Sequence, residues 1–232
     1  MKNIPSITAL LFLLLAACES TTEPTVTVKT DARDYVLAGG VGTELVFLLS
    51  RTDVDTNGIK TVVPSDTMFL TVVARDSAHP VGGLSVVVKE KFVRAGASTP
   101  YGGGTSFYSS ASNGIRYYKD YLDNDARTLL KNPLNAGAEW IDTSLKSGAM
   151  KKFIIQSVGE TISTTFGQFT GIRTLTQGSA MINSVLYSEK TTYYYAPEVL
   201  LARREEIVEN TYPSTKKDTR TTITDLIRYT KK

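Results

Sequence analysis

The sequence predicts a mainly β fold, a large curved antiparallel sheet or half-barrel with little helix, formed by residues 31–232 as a single domain. Three observations lead to this prediction. Runs of β-branched and aromatic residues recur along the chain, and Asn, Gly, Pro, Asp and Ser separate them. No long stretch has a helical period after the N-terminal region. About ten strands in one domain must curl or close, since flat open sheets of that size are uncommon.

The predicted strands extend from residue 44 to residue 231. They are ELVFLLSR (44–51), TMFLTVVARD (67–76), LSVVVKEKFVRA (84–95), MKKFIIQSV (150–158), ETISTTF (160–166), FTGIRTLTQ (169–177), MINSVLYSEK (181–190), TTYYYAP (191–197), VLLARREEIVEN (199–210) and RTTITDLIRYTK (220–231). In VLLARREEIVEN neither alternating face is purely apolar, because Arg203 and Arg204 fall on opposite faces. Such mixed alternation is typical of antiparallel strands with one face in water.

One segment is ambiguous. The tyrosines of IRYYKDYL (115–122) favour a strand, whereas the following KDYLDNDARTLLKN is compatible with a short helix. The glycine-rich stretches AGGVG (38–42) and YGGGTS (101–106) do not have the spacing of phosphate-binding loops, so we expect turns or a flexible loop there.

Composition excludes several classes of function. The chain has 232 residues, 41% hydrophobic and 21% charged, which is ordinary for a globular protein. Its formal charge is only +3 and no basic stripe is interleaved with aromatics, so we expect no nucleic-acid partner. One cysteine and one histidine exclude an internal disulfide and most zinc sites. We expect no cofactor.

The N-terminus predicts export. Met1-Lys2-Asn3 carries one positive charge, and an apolar run of about nine residues follows from Ala9 to Ala17. A membrane-spanning helix needs about 20 residues, so residues 1–17 are typical of a secretory signal peptide.

The end of this run, Leu15-Ala16-Ala17-Cys18, resembles the lipobox of bacterial lipoproteins. The resemblance implies cleavage before Cys18 and attachment of fatty chains such as palmitate to its thiol, and two or three chains anchor a protein stably. In such lipoproteins an Asp directly after the cysteine favours retention in the inner membrane. This chain has Glu19 at that position, which implies that the protein is located in the outer membrane. The Thr-rich residues 18–30 are then a tether between lipid and domain.

The segment DVDTNGIKTVVP (53–64) is a weak calcium-loop candidate. Asp53, Asp55, Asn57 and Gly58 match the beginning of such a loop, but Pro64 replaces the bidentate glutamate at its end. The competing interpretation, which we favour, is a hairpin with Asn57-Gly58 in a type I′ turn.

Other candidates for chemistry are weaker. His79 precedes Pro80 in RDSAHPVGG and is expected in a loop, and no G-x-S-x-G nucleophile motif occurs. The clusters Tyr117-Tyr118 and Tyr193-Tyr194-Tyr195 could stack on a sugar or line a lipid groove, although tyrosine in strands is more often half-buried packing. We expect Trp140 in the core.

A faint internal echo links VLAGGVGTEL (36–45) with PLNAGAEWI (133–141). Each places a leucine three residues before a glycine, with a strand-like residue soon after. Coincidence is one interpretation. The other is two related halves, each beginning with the same tight approach to a strand.

Three motifs resemble a group of uncharacterised bacterial envelope lipoproteins. They are NPLNAGAEW, with Pro133, Leu134, Gly137 and Trp140; FGQFTGIRTL, with Gly167 and Phe169; and YYYAPEVLLARRE, with Tyr194, Tyr195, Ala196 and Pro197. The similarity covers residues 132–208 and the lipobox. In that group the last motif turns through Ala-Pro-Gly-x-Gly, whereas this chain has Glu198 and Leu200 at the glycine positions. In outline such proteins are similar to the half-barrel carriers of the lipoprotein-sorting (Lol) system, which hold acyl chains.

Together these observations predict a non-catalytic outer-membrane lipoprotein. It would act as a binding or assembly module, holding a lipid or apolar ligand or meeting an envelope protein, with the membrane as its partner through the anchor. Two alternatives remain open: an envelope hydrolase acting on sugar or peptide, and a purely structural surface module. An apolar cavity favours the first prediction, carboxylates converging on His79 favour the hydrolase, and a filled core favours the structural module.

Overall fold

The structure, a computed structural model, describes residues 28–80, 83–144 and 150–232. Within these residues the chain forms one 3-10 helix, Ala32–Tyr35, and twelve strands. The strands are β1 (Glu44–Val54), β2 (Lys60–His79), β3 (Gly83–Val93), β4 (Pro100–Ala111), β5 (Gly114–Tyr118), β6 (Arg127–Lys131), β7 (Glu139–Thr143), β8 (Met150–Ser163), β9 (Gln168–Ile182), β10 (Val185–Ala196), β11 (Leu200–Thr211) and β12 (Lys217–Thr230). None of the described helices is long and apolar enough to cross a membrane.

All twelve strands belong to one antiparallel sheet with the order β6-β5-β4-β3-β2-β1-β12-β11-β10-β9-β8-β7. Apart from β6 and β7, each strand pairs with its neighbours in sequence, and β1 pairs with β12 from Glu44 opposite Thr230 to Val54 opposite Thr219. The sheet is therefore an up-and-down meander in a nearly closed, barrel-like form. The predicted fold class is confirmed.

The only neighbouring strands of this ring without a ladder are β6 and β7, the two edges of the sheet, and we call the gap between them the seam. Side chains bridge it instead. The Trp140 indole Nε1 donates to the Thr128 carbonyl oxygen at 3.2 Å, and the Ser144 hydroxyl donates to the Asp125 carboxylate at 2.5 Å.

One end of the barrel, which we call the closed end, is filled by residues outside the strands. Tyr35 of the 3-10 helix, Leu37, Leu134 and Val199 are all at most 2% exposed and belong to one apolar core with strand residues such as Phe47. Burial of side chains this large contributes about 1.5–3 kcal/mol each. The helix itself begins where Asp31 accepts a hydrogen bond from the Arg33 amide.

The internal echo has a structural counterpart. The Gly42 amide donates to Val72 O and the Val72 amide donates to Thr43 O, immediately before β1. The Gly137 amide donates to Ile155 O and the Ile155 amide donates to Ala138 O, immediately before β7. The two approaches are alike in their hydrogen bonds, and each begins a six-stranded meander. The structural counterpart of Gly137 is Gly42, however, and not Gly40, the glycine three residues after Leu37, so the sequence echo does not mark equivalent positions. The two meanders meet at two places in the ring. At one, β12 and β1 form a ladder; at the other, β6 and β7 leave the seam.

The short helix with which the sequence after Tyr118 is compatible does not form. Residues 119–126 are irregular, and Arg127–Lys131 is strand β6. The aspartates explain the difference, because the Asp120 carboxylate accepts from the Leu122 amide and the Asp123 carboxylate accepts from the Lys119 and Asp125 amides. Such local side-chain bonds to the backbone compete with a helix.

The expected turn or loop at YGGGTS is also wrong, since these residues lie in β4 opposite β3. The reason is close packing of backbones: a Cβ on Gly103 would lie 2.1 Å from the Glu90 carbonyl oxygen. Glycine therefore allows an approach between β3 and β4 that a side chain would prevent. The segment AGGVG does precede β1 as a turn, as expected.

Candidate functional site

A cavity of about 400 Å³ lies on the concave face of the sheet. Eleven of the twelve strands contribute side chains to its wall, which places it inside the barrel rather than between a loop and the sheet. The lining residues are Leu37, Leu49, Met68, Leu70, Glu90, Phe92, Tyr108, Tyr117, Arg127, Leu129, Asp142, Ser144, Lys151, Phe153, Tyr193, Tyr195, Val199, Leu200, Leu201, Arg204 and Thr224. The volume is within the range of about 300–1,000 Å³ typical of small-molecule sites.

The floor of the cavity, next to the closed end, is apolar. Leu37, Leu70, Val199 and Leu200 form it and are between 2% and 8% exposed. Phe153 of β8 continues this surface toward the seam and is 6% exposed. The floor offers surface for a hydrocarbon group and no charge.

Another part of the lining is charged. Glu90 accepts a 2.5 Å hydrogen bond from Ser106, and Lys151 is paired with Glu189 at 2.8 Å. Partial burial raises the pKa of Asp142, although an amide hydrogen bond from Thr128 and the charge of Arg127 oppose the rise.

A third part of the lining, which we call the polar wall, consists of Tyr193, Tyr195, Arg204 and Thr224 on β10, β11 and β12. Arg204 lies opposite Tyr193 on one side and Thr224 on the other. The two tyrosine rings stack with centroids 5.9 Å apart. Burial raises the pKa of both phenols, that of Tyr195 well above its usual value, so both hydroxyls are protonated at neutral pH.

Trp140 is buried in the core, as expected, and lies where the seam meets the cavity. Its ring stacks on Phe153 with centroids 5.1 Å apart and an interplanar angle of 5°. Because Phe153 lines the cavity and Trp140 is the sole tryptophan, this residue is an intrinsic fluorescence probe of the site.

His79 is not the loop residue that the sequence predicts. It ends β2, is 3% exposed and stacks on Tyr118 with ring centroids 4.2 Å apart. Its Nε2 is 3.0 Å from the Asp120 carbonyl oxygen. Phe107 and Tyr118 belong to a small apolar cluster apart from the main core, and the packing of the His79 ring on these two aromatics explains its burial despite the following proline.

The hairpin interpretation of residues 53–64 is confirmed, with Val54 opposite Lys60. The type I′ turn is wrong, since of Asn57 and Gly58 only Gly58 has a positive φ, 80°. The Asp55 carboxylate accepts from the Asn57 and Ile59 amides, which favours a longer loop and lowers the pKa of Asp55.

The Asp53 carboxylate is paired with Arg51 at 2.5 Å and with Arg220 at 3.5 Å, and the Arg51 hydrogen bonds lower its pKa. Asp53 and Asp55 line a second, polar cleft of about 410 Å³. Within the described chain, no group of three His, Cys, Asp or Glu side chains is arranged to hold a metal ion. The calcium loop stays a weak candidate whose carboxylates already have protein partners.

Cys18, the predicted lipidation site, lies outside the described residues, as do the signal peptide and most of the tether. The division of the chain at residues 17 and 30 stays a prediction. The described part begins at Val28, whose side chain lies against Gly159 of β8.

Sequence reasoning placed Tyr193 and Tyr195 among its candidates but missed Arg204 and Thr224. The signal was present in VLLARREEIVEN, where an arginine falls on each alternating face, so one arginine must face inward. Which arginine does so depends on the register with β10 and β12.

No protein-family model and no curated protein matches the sequence. Among solved structures, the fold is similar to that of a presumed exported protein with a YmcC-like fold from Bacteroides fragilis. The TM-score is 0.53 at 13% identity, over 85% of this chain and 99% of that chain. A presumed lipoprotein from Parabacteroides distasonis aligns with a TM-score of 0.43 at 15% identity, over 88% of this chain and 100% of that chain. The first comparison shows a shared fold. The similarity to Lol-type carriers stays a prediction.

Proposed function

We propose that this protein is a non-catalytic lipoprotein of the bacterial outer membrane that holds a lipid or another apolar ligand inside its barrel. The observation that carries the proposal is the cavity of about 400 Å³ in a sheet whose closed end is otherwise densely filled. Interiors of folded domains leave few voids larger than a water molecule. A space of this size with an apolar floor therefore supports binding rather than a purely structural role.

The proposed location rests on the N-terminal sequence. Leu15-Ala16-Ala17-Cys18 supplies the anchor and Glu19 the preference for the outer membrane. The similar fold of a presumed exported protein is compatible with this compartment. An envelope partner that delivers or receives the ligand belongs to the same proposal.

The hydrolase alternative receives less support. It requires carboxylates converging on His79, whereas the His79 ring packs among Phe107, Tyr118 and Tyr121. In the described residues, His79 is not part of the cavity wall. The cavity instead combines an apolar floor with hydrogen-bond donors, which suits binding.

The test is to fill the cavity and measure what co-purifies. Met68→Trp replaces a methionine of the cavity lining on β2 with a bulkier indole. The control, Val73→Trp, places an indole on the same strand at a position that is 42% exposed. The full chain is purified from membranes and extracted with solvent, and the extract is analysed by lipid mass spectrometry. Chains linked covalently to Cys18 remain with the protein.

We expect a stoichiometric lipid from the wild type and from Val73→Trp, and a loss of at least about fivefold from Met68→Trp, because the cavity is close to the lower size limit for a ligand site. Equal lipid content in Met68→Trp and Val73→Trp, or none in the wild type, would contradict the proposal.

A further inference from the structure

The polar wall of the cavity contains hydrogen-bonding atoms that the protein does not satisfy. Arg204 Nε and Thr224 Oγ1 are shielded from solvent and have no hydrogen-bond partner, and Thr224 as a whole is 2% exposed. The Tyr195 hydroxyl is also shielded. Thr174 is its polar neighbour on β9, but the two hydroxyls do not meet with normal hydrogen-bond geometry.

These atoms are close together because of the strand register. Arg204 is directly opposite Thr224 on β12 and opposite Tyr193 on β10. Directly opposite residues of an antiparallel pair have Cβ atoms about 4.5–5.5 Å apart on the same face. All three side chains also line the one cavity. Arg204 Nε and Thr224 Oγ1, two of the shielded atoms without a partner, therefore belong to one patch of the cavity wall.

Polar atoms without a partner are costly in a folded protein. About 90% or more of buried polar groups have a hydrogen-bond partner, and leaving one without a partner costs about 1–3 kcal/mol. Two such atoms on facing strands, with a phenol beside them, indicate a group that is supplied from outside the chain.

The chemistry of the patch specifies that group. An arginine has only donors, and a threonine or tyrosine hydroxyl can donate. The acidic group paired with Arg204, Glu206, is 4.0 Å from its Nη2, which is beyond hydrogen-bond length. The missing partner is therefore an acceptor, and a negative charge suits it best.

The acids of the lining do not provide that charge. The Glu90 carboxylate already accepts from Ser106 at 2.5 Å. Asp142 accepts an amide hydrogen bond from Thr128 across the seam. Glu90 is therefore held against β4 and Asp142 at the seam, and both belong to strands other than β10, β11 and β12.

We infer that Arg204 and Thr224, with Tyr195 beside them, bind the anionic oxygen head group of an amphiphile whose hydrocarbon chain lies on the apolar floor. The inference rests on the proposed function and adds the ligand class to it. The head group is a carboxylate or a phosphate ester, since both present charged acceptor oxygens that a guanidinium binds well.

The experiment uses Trp140 as the reporter and bromine as the quencher. The full chain with its anchor is placed in nanodiscs of a neutral phospholipid. It is titrated with three probes that share one dibrominated stearyl chain: the carboxylic acid, the phosphate monoester and the alcohol. The variants are Arg204→Met, Thr224→Val and the control Arg203→Met.

Arg203→Met removes the same charge one residue away. Arg203 is on the opposite face of β11, where its guanidinium is 2.7 Å from Glu205. The measured quantity is the ratio of apparent dissociation constants, variant to wild type, for each probe. Partitioning of the probe into the nanodisc cancels in this ratio.

For Arg204→Met we expect a ratio of about 10–100 with the anionic probes, as for loss of a charge-assisted hydrogen bond, and a ratio below about 3 with the alcohol. Thr224→Val should also give a larger ratio with the anionic probes than with the alcohol, although its ratios should be smaller than those of Arg204→Met. Arg203→Met should give ratios near 1 with all three probes. The acid and the phosphate monoester, compared in the wild type, identify which head group is preferred.

Quenching with equal ratios for all three probes overturns the head-group inference and leaves the proposed function standing. No quenching by any probe in the wild type overturns both. If circular dichroism shows that Arg204→Met is unfolded, Thr224→Val decides: a ratio near 1 for the anionic probes overturns the inference, and a selective increase supports it.

Discussion

Glu198 and Leu200 show how a single residue can be held in a conformation it disfavours. They have φ values of 69° and 61°, at the two positions where the resembling lipoproteins have glycine. A non-glycine residue in this region costs about 1–2 kcal/mol. The surroundings hold the turn, because the Ala38 amide donates to the Glu198 carbonyl oxygen at 2.7 Å and Leu200 is 4% exposed in the core.

Replacing Glu198 should reveal this strain. We expect Glu198→Gly to be more stable than Glu198→Ala by about 1 kcal/mol in the free energy of unfolding, as measured by urea denaturation. Both variants lose the same exposed ion pair with Lys231, so their difference reports the backbone alone. Equal stability of the two variants would show that the turn carries no strain.

Tyr35 gives a pH-dependent prediction at the closed end. Burial raises its pKa to about 12, against about 10 in the unfolded chain. Between pH 10 and pH 12 the unfolded chain loses this proton while the folded protein keeps it. The contribution of Tyr35 to stability is therefore complete below pH 10 and is lost as the pH rises through 12.

The variant Tyr35→Phe isolates that contribution. At pH 9 it should be less stable than the wild type by about 1 kcal/mol, because it loses the hydrogen bond to the Lys29 carbonyl oxygen. The difference should shrink and change sign toward pH 12, by about 2 kcal/mol in all. Urea titrations across this range test it, and a difference that does not vary with pH contradicts it.

At the scale of the element, β4 depends on glycine for its distance from β3. A methyl group on Gly103 would lie 2.1 Å from the Glu90 carbonyl oxygen, whereas nothing lies within 4 Å of the corresponding position on Gly104. Adjacent glycines in one strand thus have different roles.

We expect Gly103→Ala to lower the free energy of unfolding by at least about 2 kcal/mol, since backbone must move and φ at this position is 152°. Gly104→Ala is the matched control and should change stability by less than about 1 kcal/mol. Chemical denaturation of the pair measures both. Similar losses in both variants would mean that strand propensity, rather than close packing, requires the glycines.

At the scale of the whole molecule, the described barrel and the N-terminal anchor make separate predictions. We expect Cys18→Ala to move the protein from the membrane fraction to the soluble fraction, because no thiol remains for acyl chains. Ser20→Ala, two residues later, should stay in the membrane fraction. Incorporation of a palmitate analogue into the wild type checks the chemistry. A Cys18→Ala protein that remains membrane-bound would contradict lipid anchoring.

The sequence by itself determined the class of this protein. Recurrent runs such as TMFLTVVARD and FTGIRTLTQ predict strands because β-branched and aromatic side chains suit a pleated, half-buried surface, and so many strands predict a curved sheet. The similar approaches to β1 and β7 were only partly visible, since the sequence pattern pairs Gly40 with Gly137 whereas the hydrogen bonds pair Gly42 with Gly137. Local patterns failed at residues 119–126 and in β4, where aspartate side chains and a neighbouring backbone decided the outcome.

Only the tertiary structure decided the site. Arg204, Thr224 and Tyr193 lie on three different strands and meet through the register of those strands. A shift of one residue in that register would turn Arg203 inward and Arg204 outward. The tertiary structure likewise decides that β6 and β7 form no ladder, which creates the seam. The size of the cavity depends on how far the sheet closes. Residue preferences act over a few positions, whereas closure depends on contacts between the two halves of the chain, so the sequence predicts a barrel-like sheet but not what its interior binds.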